Sequence, residues 1–164
     1  MLQGQVALVS GAVRGIGQAI ALALGNAGAT VVGTATSDKG AQAISDYLGA
    51  AGIEGGGMKL DVTVAAEVDA VVAAISAQHG DVGILVNNAG ITRDNLLMRM
   101  KDEEWDDILA TNLTSVFRLS RAVLRAMMKA RQGRIISIAS VVGAMGNAGQ
   151  ANYGAAKAGI MGFT

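Results

Sequence analysis

"VSGAVRGIG", residues 9–17, sets glycines at 11, 15 and 17 between a short apolar run and a stretch of helical period. A strand that turns through glycines into a helix brings bare backbone close to a bound group. The helix start adds free N–H groups and the positive end of a dipole, which suit a phosphate. The spacing is G-x-x-x-G-x-G rather than G-x-G-x-x-G, but the physics of the turn is the same. Glycine turns between strand and helix are common, so the reading depends on what flanks this one.

Outward from the loop, short β-branched runs alternate with longer helical stretches. "QVALVS" (5–10), "TVVGTA" (30–35), "MKLDV" (58–62), "ILVNNA" (84–89) and "RIISIA" (134–139) are expected as strands. They are apolar nearly throughout, which suits a parallel sheet covered on both faces. Helices are expected over Gly15–Ala27, Lys39–Ala51, Val64–Gln78 and about Asp102 to Ala130, with a fifth from near Gly149 or Gln150. This alternation is that of an α/β fold, a Rossmann-like doubly wound parallel sheet in three αβα layers. No linker or low-complexity tract interrupts it, so residues 1–164 are expected to form a single dinucleotide-binding domain.

Composition narrows the function classes. The chain is 51% hydrophobic and 16% charged, enough apolar surface for a sizeable core. Formal net charge is zero, which gives no basic footprint for nucleic acid. Without cysteine there is no disulfide framework, thiolate chemistry or cysteine zinc site. The one histidine, His79, falls where a helix should end before Gly80, so no metal is expected. No basic segment followed by a long apolar stretch opens the chain. The apolar runs stop well short of the ~18 residues of a membrane span. The expectation is a soluble, cytoplasmic protein.

The fourth helical stretch carries apolar residues from Trp105 to Met128 at helical spacing, with Thr111 and Asn112, poor helix formers, in its middle. These two mark a kink or a side chain aimed inward. So long a helix suits packing along its copy in another subunit, and a homo-oligomer is expected. The acidic run "DEEWDD" (102–107) suits the positive end of the helix dipole.

The second strand ends without a carboxylate at 33–37 to accept from an adenosine ribose, while Arg14 supplies a cation and Thr36 and Ser37 supply hydroxyls. Arginine with hydroxyls suits a ribose phosphate, which favours NADP(H). Asp38, just beyond, leaves NAD open.

Tyr153 and Lys157 stand at i and i+4 on the last predicted helix and so share a face. An ammonium beside a phenol favours the phenolate, which a phenolic acid–base catalyst working near neutrality requires. Ser140 closes the fifth strand, and ligands of open parallel sheets bind outside the carboxyl ends of the strands. There Ser140 can hydrogen-bond a substrate carbonyl. Tyr47 is expected to serve packing alone.

Gly11-x-x-x-Gly15-x-Gly17, Asn87-Asn88-Ala89-Gly90, Asn112, Ser140 and Tyr153-x-x-x-Lys157, in this order and spacing, resemble the short-chain dehydrogenase/reductases over essentially the whole chain. Within that family, "NNAGITRDNLLMRMKDEEWDDILATNL" and "SVVGAMGNAGQANYGAAKAG" look like the bacterial reductases of 3-oxoacyl thioesters of acyl carrier protein. The resemblance implies that Tyr153 donates a proton to a ketone while NADPH delivers hydride, and that Ser140 polarises the ketone oxygen. It implies that Lys157 binds the nicotinamide ribose and that Asn112 holds a water leading from Lys157 to solvent. Cofactor contacts are implied at Gly11, Arg14, Gly15, Ile16 and Gly17 of the first loop. Thr36, Asp61, Val62, Asn88, Ala89 and Gly90 are implied on the adenosine side, Asp61 accepting from the adenine amino group. Asn87 is implied to pin the central strands. The partner implied is an acyl-carrier-protein-linked substrate, with Lys129, Arg131 and Arg134 a basic cluster suited to an acidic carrier.

The pattern is not complete. Ser10 stands where the family most often has threonine, and Val13 replaces a serine that touches the adenosine ribose or its phosphate. One lost hydrogen bond of about 0.5–1.5 kcal/mol weakens cofactor binding only modestly. The family pattern also runs on beyond Thr164, through further strands, a substrate lid and part of an oligomer contact. The expectation is an α/β domain lacking its C-terminal part, whether as a fragment or as part of a longer protein. Alternatives are a reductase of acetoacetyl-CoA or another ketone, and a non-catalytic nucleotide-binding or assembly fragment.

Overall fold

Successive residues of β1 (Val6–Val9) point to opposite faces of a sheet, and all four are buried. Val6 and Leu8 join one apolar cluster, and Ala7 and Val9 join another. A strand with two dry faces needs cover on both, and the computed structural model, which describes residues 1–164, provides it. Five parallel strands lie in the order β3-β2-β1-β4-β5, with β2 at Thr30–Ala35, β3 at Gly55–Lys59, β4 at Val82–Asn87 and β5 at Arg134–Ser137. Helices α1 (Gly15–Asn26) and α2 (Asp38–Ala50) cover the face holding Ile44 and Leu48. The other face packs on α3 (Ala65–His79) and α5 (Ser115–Ala130) through Val68, Ile75, Leu119 and Val123. The connections leave β1 towards β2 on one side and arrive at β4 on the other. This reversal opens a crevice above the carboxyl ends of β1 and β4.

The elements differ from the sequence expectation in five places. The third strand runs over Gly55–Lys59, not 58–62. Glycines are poor strand formers, yet here they permit close approach. A Cβ on Gly57 would overlap the carbonyl of Ala41 in α2, and one on Gly55, at φ 119°, would overlap that of Val31. Its last ladder bond is Leu60 N–H to Ala35 O, after which Asp61 turns the chain out of the sheet.

β4 and β5 stop at Asn87 and Ser137, short of 89 and 139. The N–H groups of Asn88 and Ala89 are taken by the Ser10 hydroxyl, so the ladder loses its template there. The edge strand β5 is also only half covered, with Ile136 46% exposed.

The long helix is three pieces in one line: α4 (Asp102–Leu109), a π turn (Ala110–Thr114) and α5. The wide turn centres on Asn112, the position expected to kink the helix. A short helix, α6 (Val141–Met145), was not expected, and α7 (Ala151–Phe163) follows it. α3 ends at His79 with Gly80 at φ 103°, as the sequence suggested. No helix is long and apolar enough to cross a membrane.

Replacing Gly57 by Ala should force α2 away from β3. Overpacking of this kind costs about 1–3 kcal/mol. A thermal melt should show the midpoint several degrees lower, since a chain of this size loses roughly 2–4 °C per kcal/mol.

Candidate active site

One hydroxyl joins the two strands that border the crevice. Ser10 is buried, and its Oγ accepts from the N–H groups of Asn88 and Ala89, each at 3.0 Å, while donating to Val86 O at 3.4 Å. Asn88 answers with its amide, which donates to Ser10 O at 3.1 Å and Gly11 O at 2.9 Å. The glycine loop is held from its other side by Thr34, whose Oγ1 accepts from Gly11 N–H at 3.3 Å and whose carbonyl accepts from Ala12 N–H at 3.0 Å. Tyr47, on α2, donates its phenolic O–H to Ala12 O at 2.8 Å.

So anchored, the loop leads into α1 through Arg14, which is extended and makes no side-chain cap. The first-turn N–H groups of α1 therefore lack both intrahelical and capping partners. Gly15 has φ 58° and open space where a Cβ would stand. Gly17 is buried against the loop, where a Cβ would overlap Gly11 O and the Asn88 amide.

Two clefts meet at this loop. The first, about 430 Å³, is lined by Gly11 and Arg14 of the loop, Thr36 after β2, Asp61 and Val62 after β3, and Asn88, Ala89 and Gly90 after β4. Asp61 Oδ1 accepts from the Thr63 hydroxyl at 2.6 Å and the Thr63 N–H at 2.9 Å. These bonds hold its carboxyl below the usual range, although partial burial opposes them. The other carboxylate oxygen is left for an external donor. Ser37 and Asp38 do not line this cleft. Ser37 caps α2 by accepting from Gly40 N–H, and Asp38 occupies the first helical turn, where a carboxylate suits the dipole.

The second cleft, about 580 Å³, is lined by Ile16, Ser140, Tyr153 and Lys157. It shares Arg14, Asn88, Gly90 and Ile91 with the first, so the two form one groove across the glycine loop. Ser140 stands beyond the end of β5 as the N-cap of α6, its Oγ accepting from Val142 N–H at 3.2 Å. Its own O–H remains free to donate into the cleft. The Lys157 ammonium lies 5.6 Å from the centroid of the Tyr153 ring and donates to Ile138 O at 2.7 Å. Lys157 is buried, and that burial holds its ammonium below the ordinary value of 10.5. The buried charge opposes folding at neutral pH, and the cost fades as pH rises from the lowered value towards 10.5.

Asn112 lines neither cleft. Its Oδ1 accepts from Ile91 N–H and its Nδ2 donates to Ile91 O, each at 2.8 Å. Both polar atoms are thus committed to one residue of the cleft wall. Asn87 is buried between strands, its amide reaching Ser120 and Ser137 at 3.4 and 3.3 Å, and its Oδ1 has no partner.

Sequence reasoning missed several supports. Tyr47 reaches the glycine loop, where packing alone was expected. Thr34 gives no sign of its role in a β-branched run. Asn152, beside Tyr153, carries no signal in the sequence that it is buried. Among these Tyr47 carries a titration: burial pushes its phenol up to about 12 from 10.0. A raised value means that its stabilisation is complete below pH 10 and is lost as pH rises towards 12. Tyr47→Phe should cost about 0.5–1.5 kcal/mol at neutral pH. In thermal melts its deficit relative to wild type should shrink between pH 10 and 12.

The comparisons agree with this architecture. The family model described as short chain dehydrogenase matches residues 5–164. The chain is 67% identical over 162 residues to the 3-oxoacyl-[acyl-carrier-protein] reductase FabG of Escherichia coli (strain K12), covering 99% of this chain and 65% of that protein. It is 69% identical over 163 residues to the protein of the same name from Vibrio cholerae serotype O1, covering 99% and 66%. The corresponding values for the Pseudomonas aeruginosa protein of that name are 64% over 163 residues, 99% and 66%. The chain thus spans about two thirds of the length of these relatives. With a family model matched over residues 5–164 and a crevice at the switch point of its sheet, the chain belongs to the short-chain dehydrogenase family.

Proposed function

We propose that this chain is an NADPH-dependent ketoreductase that converts 3-oxoacyl-[acyl-carrier-protein] to the 3-hydroxy product in fatty-acid elongation. The observation that carries the reading is the convergence of Ser140, Tyr153 and Lys157 on a cleft continuous with the glycine-loop cleft. The printed names of the relatives support the substrate class.

The residues present fit a dinucleotide. The uncapped start of α1 and the open side of Gly15 suit a pyrophosphate, with one cleft on each side for the two nucleoside halves. Asp61 and Val62 suit the adenine, and Asn88, Ala89 and Gly90 its ribose side. Arg14 and Thr36 line the first cleft where no carboxylate does so at the end of β2, which supports NADP(H) over NAD(H). NADPH, when bound, supplies the hydride.

The chain's own groups handle the oxygen and the proton. Ser140 donates its O–H to the ketone oxygen, orienting and polarising it. Tyr153 transfers its phenolic proton to that oxygen as the carbonyl carbon is reduced, which yields the alcohol. Lys157 keeps a cation near the phenol in a partly desolvated site, where its field is stronger than in water. It also suits the ribose hydroxyls on the nicotinamide side. Asn112 has both polar atoms on Ile91. Its side chain therefore fixes the cleft wall at Ile91 and is not placed to hold a water leading from Lys157 to solvent.

Residues 1–164 act as one dinucleotide-binding domain, since both apolar clusters share a single sheet. Phe117, Leu124 and Met128 leave an apolar stripe on the outer face of α5, 44%, 45% and 69% exposed, which supports a homo-oligomer, dimer or tetramer, through the long helix. Lys129 and Arg131 are exposed at the C-terminal end of α5 and Arg134 at the start of β5, which is the amino end of the sheet, so the basic cluster expected to meet an acidic carrier does not border the groove at the strands' carboxyl ends.

The test is NADPH consumption with acetoacetyl thioesters of acyl carrier protein and of coenzyme A. Tyr153→Phe should lower kcat by roughly 10²–10⁴ while NADPH binding persists. Faster turnover of the coenzyme A thioester would overturn the carrier assignment. NADPH binding without turnover in the wild type would mark a non-catalytic nucleotide-binding chain.

A further inference from the structure

Asn152 is fully buried at the second position of α7, immediately before Tyr153. Its Nδ2 donates to Arg93 O at 2.9 Å and Glu104 O at 3.1 Å, and its Oδ1 accepts from Tyr153 N–H at 2.8 Å. Only a primary amide of this length offers two donors and an acceptor at once. Aspartate would set a carboxylate against two carbonyl oxygens, and a small apolar residue would leave both carbonyls unpaired. The side chain thus ties three segments together: the cleft wall at Arg93, the first turn of α4 and the helix that carries Tyr153.

Neighbouring bonds make this junction stiff. Asn95 N–H donates to Gly149 O at 2.9 Å, and Gln150 Nε2 donates to Asp94 Oδ1 at 3.2 Å. The Glu104 carboxylate accepts from Lys101 N–H at 2.8 Å and from Asn95 Nδ2 at 3.1 Å. The loop that passes the second cleft and the chain that enters α7 are therefore laced from 93 to 104 on one side and from 149 to 152 on the other. Neither Asn152 nor Glu104 lines a cleft, so the lacing acts through what it holds. Arg93 on one strand of the lacing and Tyr153 on the other both line the second cleft.

We propose that Asn152 is a positioning residue that sets the place of the Tyr153 phenol against the Arg93 wall of the substrate cleft. This rests on Tyr153 being the proton donor. Proton transfer needs its partners within hydrogen-bond reach, and a displacement of about 1 Å can cost roughly 10²-fold in rate. A residue that only supported the fold would lower stability and cofactor affinity together. A positioning residue separates them.

The experiment compares Asn152→Ala, Asn95→Ala and Tyr153→Phe with the wild-type protein. It follows kcat and KM for an acetoacetyl thioester, NADPH affinity by nucleotide fluorescence, and the melting midpoint. Asn152→Ala should lose roughly 10–100-fold in kcat with NADPH affinity within about threefold of wild type. Asn95→Ala removes the side-chain bonds of a partly buried residue to Arg99 O and the Glu104 carboxylate, keeps its main-chain bond to Gly149 O, and serves where the first variant does not fold. It should lose roughly 3–10-fold in kcat with the same unchanged affinity. Wild-type kcat in the folded variants, or kcat and NADPH affinity falling in parallel, overturns the positioning role while Tyr153→Phe remains inactive. Turnover retained by Tyr153→Phe overturns the proton-donor reading itself, and the positioning role with it.

Discussion

The bond network of the Ser10 hydroxyl is the constraint on which the site depends. Parallel strands β1 and β4 are neighbours in the sheet, but their continuations run to different helices, and something must hold the two loops together where the strands part. Ser10 does this with one oxygen that accepts from two successive N–H groups of the β4 continuation and donates to the carbonyl before them. Because those N–H groups are spent, β4 cannot extend, and after the bond from Ile138 N–H to Asn87 O the β5 chain leaves the ladder towards Ser140. The Asn88 amide returns the link by donating to Ser10 O and Gly11 O. The room between the loops is so small that a Cβ on Gly11 would stand 2.9 Å from Ala89 Cα. Strand length, loop height and cleft position follow from this contact.

The layers of the fold were legible because period and burial agree. Val6 to Val9 alternate between two apolar clusters, and α3 stops at the glycine where its pattern stops. What was not legible had one cause in common, a main-chain contact with no side-chain signature. Gly55–Gly57 looked like a break because glycine carries no strand preference, and their value lies in how close Ala41 and Val31 come. The end of β5 was misplaced because the sequence does not show that Ser10 takes the Ala89 N–H that β5 would have needed beside it. Ser140 and Tyr153 were legible as chemical types, but not the buried amide of Asn152 between Tyr153 and Arg93.

Lys157 shows where the molecule accepts a cost. Its ammonium is buried with one carbonyl partner, and desolvation works against the charge it carries. A methionine of similar length would pack there without that penalty. An aliphatic chain with a cation at its end has no structural advantage at this point, so the charge is best understood through what it faces, the Tyr153 ring 5.6 Å away and the cleft. The unpartnered Oδ1 of Asn87 is a smaller cost of the same kind. The amide that leaves that oxygen bare joins β4 to α5 and β5 through two serine hydroxyls.

The polar residues around the groove divide into two kinds by what they bind. Asn88, Asn112 and Asn152 spend their amides on main-chain atoms: Ser10 and Gly11, Ile91, and Arg93 with Glu104. A main-chain atom cannot change rotamer, so a side chain bound to it inherits the stiffness of the backbone. Asparagine suits this because it donates and accepts from one rigid plane. Ser140, Tyr153 and Arg14 stand in the groove with hydrogen-bonding capacity left for a ligand. Rigid placement thus falls mainly to the asparagines, although Ser140 combines a cap bond with a free O–H. Ser140 and Lys157 each make one main-chain bond and keep further donors for the groove, while the Tyr153 side chain is left free beside the bound amide of Asn152. On this argument an asparagine at the edge of such a cleft, buried and saturated by carbonyls, is evidence about the residue beside it.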